Sequence, residues 1–368
     1  MNSRERVLET LDHREPDLVP ITEMSIDTPI LEAIVGRKFS GPVSLQTQLS
    51  ADRDLESMKV EMTVSTYMKL GLDAIFSDLS APDNWKTKAN PDGTMTDEWG
   101  RILTYESVNK SWVPFRSLFK APEDVENYPF PDSNAPGRTF ALEQTKKQVG
   151  EKAAIAAFIR DPFAHVWEML QPPNFVRWMY ERPSTIRNTI EKMTRFNVDM
   201  IDRIAEIGVD FIVSGGDYSE KNGPMVPPRF FRETIFPSLK MQVDAAHRAG
   251  LKFIKHSDGD LNLLLEDLSN IVDGLHSLDP TANMNLGDTK ARYGDRLTLM
   301  GNVAVDTLAL GSREQVIEET KTCLLKGAPR GGYILASSNS WYGGAKLENC
   351  LAMLETGRKY GRYPIKIM

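Results

Sequence analysis

Eight short apolar runs, each continuous rather than alternating, recur along this 368-residue chain. They are LVPIT (18–22), DAIFS (73–77), AAIAAFI (153–159), DFIVS (210–214), LKFIK (251–255), IVDGL (271–275), RLTLM (296–300) and GYILA (332–336). Continuous apolar runs mark strands covered on both faces, as in a parallel sheet flanked by helices. Helical stretches mostly follow them. SREQVIEETKTCLLKG opens with Ser312 and Gln315 at capping-box spacing and stops at Gly327. PPRFFRETIFPSLKMQVDAAHRAG reads as a long helix interrupted at Pro237 and closed by Gly250. LNLLLEDLSNI fits one short crossover, and KLENCLAMLETGRKYG closes the chain as a helix. Strand runs alternating with helical crossovers predict an α/β fold. It is a single (β/α)8 TIM barrel over residues 1–368, with an N-terminal helical segment.

One gap is too long for a crossover. About residues 79–150, between strands 2 and 3, hold GTMTDEWGRILTYES, which alternates like a hairpin, and the Pro-rich KAPEDVENYPFPDSNAPGR. The helix TFALEQTKKQVG follows. This reads as an insertion that serves as a lid or a subunit contact. The first crossover, 27–70, is long enough for more than one helix, and the chain shows no internal repeat.

A barrel places its chemistry at the C-terminal ends of the strands. Polar side chains stand at all eight of these ends: Glu23, Asp78, Arg160 with Asp161, Asp217 with Tyr218, His256 with Asp258, His276, Asn302, and Ser337 to Asn339. Three of the five histidines, His165, His256 and His276, fall near strand ends, whereas His13 and His247 read as surface residues. Glu23, Asp217, His256 and His276 are the candidate catalytic groups. Met24, Arg160, Tyr218, Asn302, Asn339 and Trp341 are candidate substrate contacts. Each has a structural reading as well. Asp258 or Asp260 suits a helix N-cap by type and position. Asp217 sits beside two glycines in a turn, Arg160 has Asp161 as a neighbour to pair with, and Asn302 and Asn339 suit loop-stapling amides. Met24, Trp167, Tyr218, Met225, Trp341 and Tyr342 lie where they would wall an apolar pocket.

Composition excludes several classes. A net charge of −7 leaves no basic excess for nucleic acid, and no apolar run approaches membrane-spanning length. The opening MNSRERVLETLDHREPD lacks a signal core, so a cytoplasmic protein is expected. Only Cys323 and Cys350 occur, on helix faces, which builds neither a disulfide framework nor a thiolate site.

Four segments resemble the uroporphyrinogen decarboxylase family, and together they span nearly the whole chain. They are RERVLETLDHREPDLVPI, HSDGDLNLLLEDL, KARYGDRLTLMGNVAVDTLALGSREQV, and GGYILASSNS with LENCLAMLETGRKYGRYP. The resemblance implies a TIM barrel and one of two chemistries: cofactor-free decarboxylation, or methyl transfer to or from a corrinoid protein, usually helped by zinc. The true decarboxylases carry an arginine-rich segment after the first strand. Here that segment is ITEMSIDTPILEAIVGR, with no arginine before Arg37, so guanidinium partners for a polycarboxylate are missing. The thiol-methylating relatives hold zinc with a His-x-Cys pair and a later Cys; these positions carry over to His256, Asp258 and a place at or near Asn339. The imidazole is kept and both thiolates are lost. What remains is methyl transfer from an oxygen or nitrogen donor, such as a methoxylated aromatic, to a separate corrinoid protein. His256 and Asp258 would be zinc ligands, and cobalamin would come only with the partner, since no DxHxxG motif is present. A metal-free decarboxylase or lyase acting on a small carboxylic acid is the alternative. Relatives also make a homodimer plausible.

Overall fold

The computed structural model describes residues 1–41, 43, 49–83 and 85–367. Seven strands form one curled parallel sheet in the order Ala74–Asp78, Ala154–Arg160, Phe211–Gly215, Lys252–Ser257, Gly274–Ser277, Thr298–Val303 and Tyr333–Ser337. Their side chains are almost all buried, as continuous apolar runs require.

The first run, 18–22, differs from expectation: it forms an isolated parallel bridge, Ile21 to Leu335, rather than a strand. It nevertheless joins the two sheet edges. On one side Leu335 N–H donates to Pro20 O at 2.9 Å and Thr22 N–H to Leu335 O at 3.0 Å. On the other, Asp73 N–H donates to Ile21 O at 2.8 Å and Thr22 Oγ1 to Ala74 O at 2.8 Å. Pro20 has no N–H, so the ladder cannot lengthen, but the ring closes.

A recurring clamp sets the start of the strands. Asp73, Asp210 and Asp273 each precede a strand, in LDAIF, VDFIV and VDGLH. Each donates its own N–H to a carbonyl of the neighbouring stave, on Ile21, Ile155 and Phe253 in turn. Each carboxylate then accepts the N–H of that same residue at 2.8 Å. Arg6 and Arg4 neutralise Asp73 and Asp210, and exposed His247 meets Asp273 at 2.8 Å. His13, expected on the surface, is half-buried.

The helices follow their sequence signals with local differences. Arg313–Gly327 has the Ser312 capping box, and Thr28–Val35 and Arg53–Leu70 occupy the first crossover. The helix around Pro237 is broken by a π-turn, Phe231–Ile235, just ahead of the residue that cannot donate to the ladder. LNLLLEDLSNI keeps only Leu265–Ser269 helical, and neither Asp258 nor Asp260 caps it.

The insertion is larger than a hairpin. Lys88–Ala89, Met95–Thr96, Arg101–Glu106 and Ser111–Ser117 make a four-stranded antiparallel sheet. Buried ion pairs tie it down. Arg101 bonds Asp97 at 2.7 Å within the insertion and Glu168 of the barrel at 2.5 Å, and Arg138 grips Glu98 through two bonds of 2.8 Å.

The clamp makes a prediction. Asp73→Ala leaves the buried Ile21 N–H without an acceptor and Arg6 without one of its carboxylates. It is expected to lower the unfolding free energy by about 2–4 kcal/mol. Urea denaturation checks this, and a loss of only a few tenths would show that the closing segment holds without the clamp.

Candidate active site at the C-terminal rim

The strands extend one to three residues past the expected runs, so His256, His276, Arg160 and Asn302 lie inside strands rather than beyond them. Parallel pairing sets His256 directly beside His276. Their rings meet through Nδ1 to Nδ1 at 2.8 Å, and one proton must be shared between those two nitrogens. Two arrangements satisfy it. If His256 donates, its Nε2 is left with a free lone pair; if His276 donates, His256 Nε2 carries a proton.

That Nε2 faces Asp217 Oδ1 at 3.8 Å. Asp217 Oδ1 also accepts the Asp258 N–H at 2.9 Å. Ligand atoms of Asp217, His256 and Asp258 all lie within 4.8 Å of one another. Asp258 does not cap a helix: Asn339 Nδ2 donates to its Oδ2, and its Oδ1 is buried with no partner. Burial, with the Asp217 charge adding to it, pushes the Asp258 carboxyl up to about 7. Burial pulls His256 down to about 4 against the opposing pull of Asp217, and His276 falls well below its usual range for the same reason, helped by His256. The histidine pair is therefore neutral at physiological pH.

A cavity of about 280 Å³ opens above this cluster. Asp217, His256, Asn339, Arg160 and Met24 line it, as the strand-end reading expects. Its apolar walls come from Ile26, Leu31, Val43, Phe76 and Phe158, so the strands and first crossover supply them rather than the loop aromatics. Trp341 is fully buried, with its backbone paired to Ser25 and Asp27. Trp167 packs on Phe163 and Phe175. His165 is buried against Trp99, 4.2 Å between rings.

Arg160, on the lining, is engaged by the protein itself, and other candidates sit behind the wall. Arg160 pairs with Glu168, which Arg101 holds from the other side, and not with Asp161. Asp161 accepts the Tyr218 hydroxyl at 2.7 Å and lies 3.3 Å from the Lys255 ammonium. Lys255, unexpected in an apolar run, is fully buried over the Tyr218 ring at 4.1 Å, so Tyr218 serves this cluster and not the cavity. Asn302 donates to Leu278 O at 2.8 Å and borders a separate surface hollow with Cys323. It holds the turn where Ser277 and Leu278 both adopt positive φ. Both cysteines are buried and free, and burial pushes Cys323 up to about 12.

Glu23 points away from the cavity. Ser337 donates to it twice, from Oγ at 2.8 Å and from N–H at 3.1 Å, and burial pushes its carboxyl up to about 8. Among the lining residues that strand-end reasoning did not single out are Asp27, Lys59, Asn109 and Ser111. Asn109 and Ser111 belong to the insertion, which therefore walls the site.

A family model described as uroporphyrinogen decarboxylase (URO-D) matches residues 103–360, well over half of the chain. The chain belongs to this family. No curated protein matches it. Among solved structures, a methyltransferase from Methanosarcina mazei is 18% identical with a TM-score of 0.73, covering 98% of this chain and 99% of that one. A B12-independent methionine synthase from Shewanella sp. W3-18-1, in complex with selenomethionine, is 12% identical with a TM-score of 0.54, covering 93% and 97%. At such identities the likeness concerns the fold. The segment after the 18–22 run brings Met24, Ser25, Ile26 and Asp27 to the cavity, with no arginine among them.

Two titrations check this electrostatic picture. Asp217→Asn removes the charge that helps to raise Asp258, so the Asp258 carboxyl is expected to titrate lower. Carbon-detected NMR of the side-chain carboxyls reads this, and an unmoved midpoint would place Asp217 too far away to matter. Glu23 stays protonated in the folded chain up to about pH 8, whereas the unfolded chain releases that proton near pH 4.5. Its contribution to stability is full below the lower value and is lost as pH rises toward the upper one. Between pH 5 and 8 the wild type should lose stability relative to Glu23→Gln in urea melts; parallel curves would count against a buried neutral Glu23.

Proposed function

We propose that this chain is a methyltransferase that takes a methyl group from a small methylated donor, a methoxylated aromatic, and passes it to a separate corrinoid protein. The observation that carries this reading is the convergence of Asp217 and His256, which line the cavity, with Asp258 beside them, its Oδ1 buried and unpartnered. An imidazole and two carboxylates without thiolate fit a divalent ion such as zinc. The scaffold's likeness to the Methanosarcina mazei methyltransferase agrees with the reading.

Loss of the methyl breaks a carbon–oxygen bond, and the aryl oxygen keeps the electron pair. That oxygen is a poor leaving group unless positive charge or a proton meets it. Zinc held by Asp217, His256 and Asp258 would supply a Lewis acid at this point. His256 offers its Nε2 lone pair when its Nδ1–H is donated to His276, so His276 selects the ligating tautomer. Asn339, just past the last strand, orients Asp258. Met24, Phe76 and Phe158 give an aromatic ring apolar faces to lie against. In the alternative His–His tautomer, His256 Nε2–H donates a hydrogen bond to the departing oxygen, which then takes its proton from solvent.

A metal-free decarboxylase acting on a small acid would need a positive cavity. Arg160 is engaged by Glu168, and Lys59 lies 3.6 Å from Asp78. Asp27, Asp78 and Asp217 stand against these two cations on the lining. That balance disfavours an anionic substrate.

Purified protein is expected to hold zinc near one equivalent by metal analysis, and His256→Ala and Asp258→Asn should each weaken zinc binding by about tenfold or more. The same variants should cut methyl transfer from methoxylated aromatics to a reduced corrinoid protein by about 10²-fold or more, read as phenol released. A wild type that binds no zinc and releases no phenol from any methoxylated aromatic would defeat the reading.

A further inference from the structure

Asp27 is an aspartate in a capping position that does not cap. It precedes Thr28–Val35, and its carbonyl accepts from Ile30 and Leu31 N–H, but its carboxylate makes no bond to the helix. A capping aspartate ordinarily stabilises its helix through that bond. Here the side chain forgoes it. Asp27 is only 4% exposed, lines the cavity, and has both carboxylate oxygens without a hydrogen-bond partner. The neighbouring Gly343 N–H is taken by Asn109 Oδ1 at 3.0 Å.

A second orphan lies on the same lining. Ser111 opens the last strand of the insertion, is 2% exposed, and its buried Oγ also lacks a partner. Buried polar groups without partners are costly, and their presence in a binding cavity calls for a ligand that satisfies them. The two groups have complementary needs. The Asp27 carboxylate accepts, and the Ser111 hydroxyl can donate. A phenolic hydroxyl suits either group, giving its proton to Asp27 or accepting from Ser111. An ether oxygen or a carboxylate at the same place leaves the ionised Asp27 without a donor. Burial pushes the Asp27 carboxyl up to about 7, so near neutral pH both its forms are populated, and a hydroxyl, which can donate or accept, serves either one.

We propose that Asp27 and Ser111 form a subsite for a free hydroxyl on the donor, which makes the substrate class methoxylated phenols rather than fully etherified arenes. This rests on the methyl-transfer reading for the identity of the ring, but not on any step of the transfer.

Calorimetric binding of paired probes tests it: 2-methoxyphenol against 1,2-dimethoxybenzene, and 4-methoxyphenol against 1,4-dimethoxybenzene. The full-length wild type is expected to bind at least one phenol about tenfold or more tighter than its capped partner, the effect of about 1.4 kcal/mol. Asp27→Asn and Ser111→Ala should each shrink that ratio by about fivefold, and His256→Ala should leave it intact. Equal affinities within both pairs, failure of all four probes to bind, or a ratio unchanged in Asp27→Asn would overturn the subsite. An intact ratio without methyl transfer would defeat the transfer reading and leave the subsite standing. Methyl transfer with equal affinities would do the reverse.

Discussion

Everything at the rim depends on how the ring closes. Pro20, Ile21 and Thr22 hydrogen-bond Leu335 on one edge of the sheet and Asp73 and Ala74 on the other. That short seam carries Met24 to Asp27 up to the same mouth where His256 and Asn339 stand. Without it, a seven-stranded open sheet would leave its first and last strands as exposed edges. Closure converts residues far apart in the chain into one cavity wall. The aspartate clamps at positions 73, 210 and 273 act below, setting where strands begin.

The site is organised around charges that burial discourages. The two histidines share a single proton between facing nitrogens and stay neutral. Asp258 and Asp27 both titrate near 7, each because desolvation penalises the anion. The nearest arginine, Arg160, is held by Glu168, which also ties the insertion to the barrel through Arg101. The insertion and the cavity rim are thereby coupled through one carboxylate. The same insertion brings Asn109 and Ser111 to the cavity, so it acts as part of the pocket wall.

Much of this was legible in the linear chain. Seven of the eight apolar runs are strands, the Ser312 box caps its helix, and Asp217, His256, Arg160, Asn339 and Met24 do line one cavity. The remaining run, 18–22, was harder, because apolar character says nothing about ladder length and Pro20 removes a donor. Lys255 hid in an apolar run: its burial is compensated by Asp161 and by the Gly216 and His256 carbonyls, none of which periodicity can foresee. Tyr218, Asn302, Glu23 and Trp341 stand at strand ends in sequence but turn behind the wall. A one-residue change of register on a strand exchanges the two faces, and strand ends were the least certain boundaries.

The order of apolar runs and punctuation by itself determined the barrel, the place of the insertion and the end of the barrel where chemistry belongs. Those features follow from burial and backbone hydrogen bonding, which are local and periodic. Only the tertiary structure decided which rim residues share the cavity, that His256 meets His276 nitrogen to nitrogen, and that Asp27 and Ser111 are left without partners. Those depend on contacts between segments separated by tens to hundreds of residues. Partnering and desolvation arise only when such segments meet.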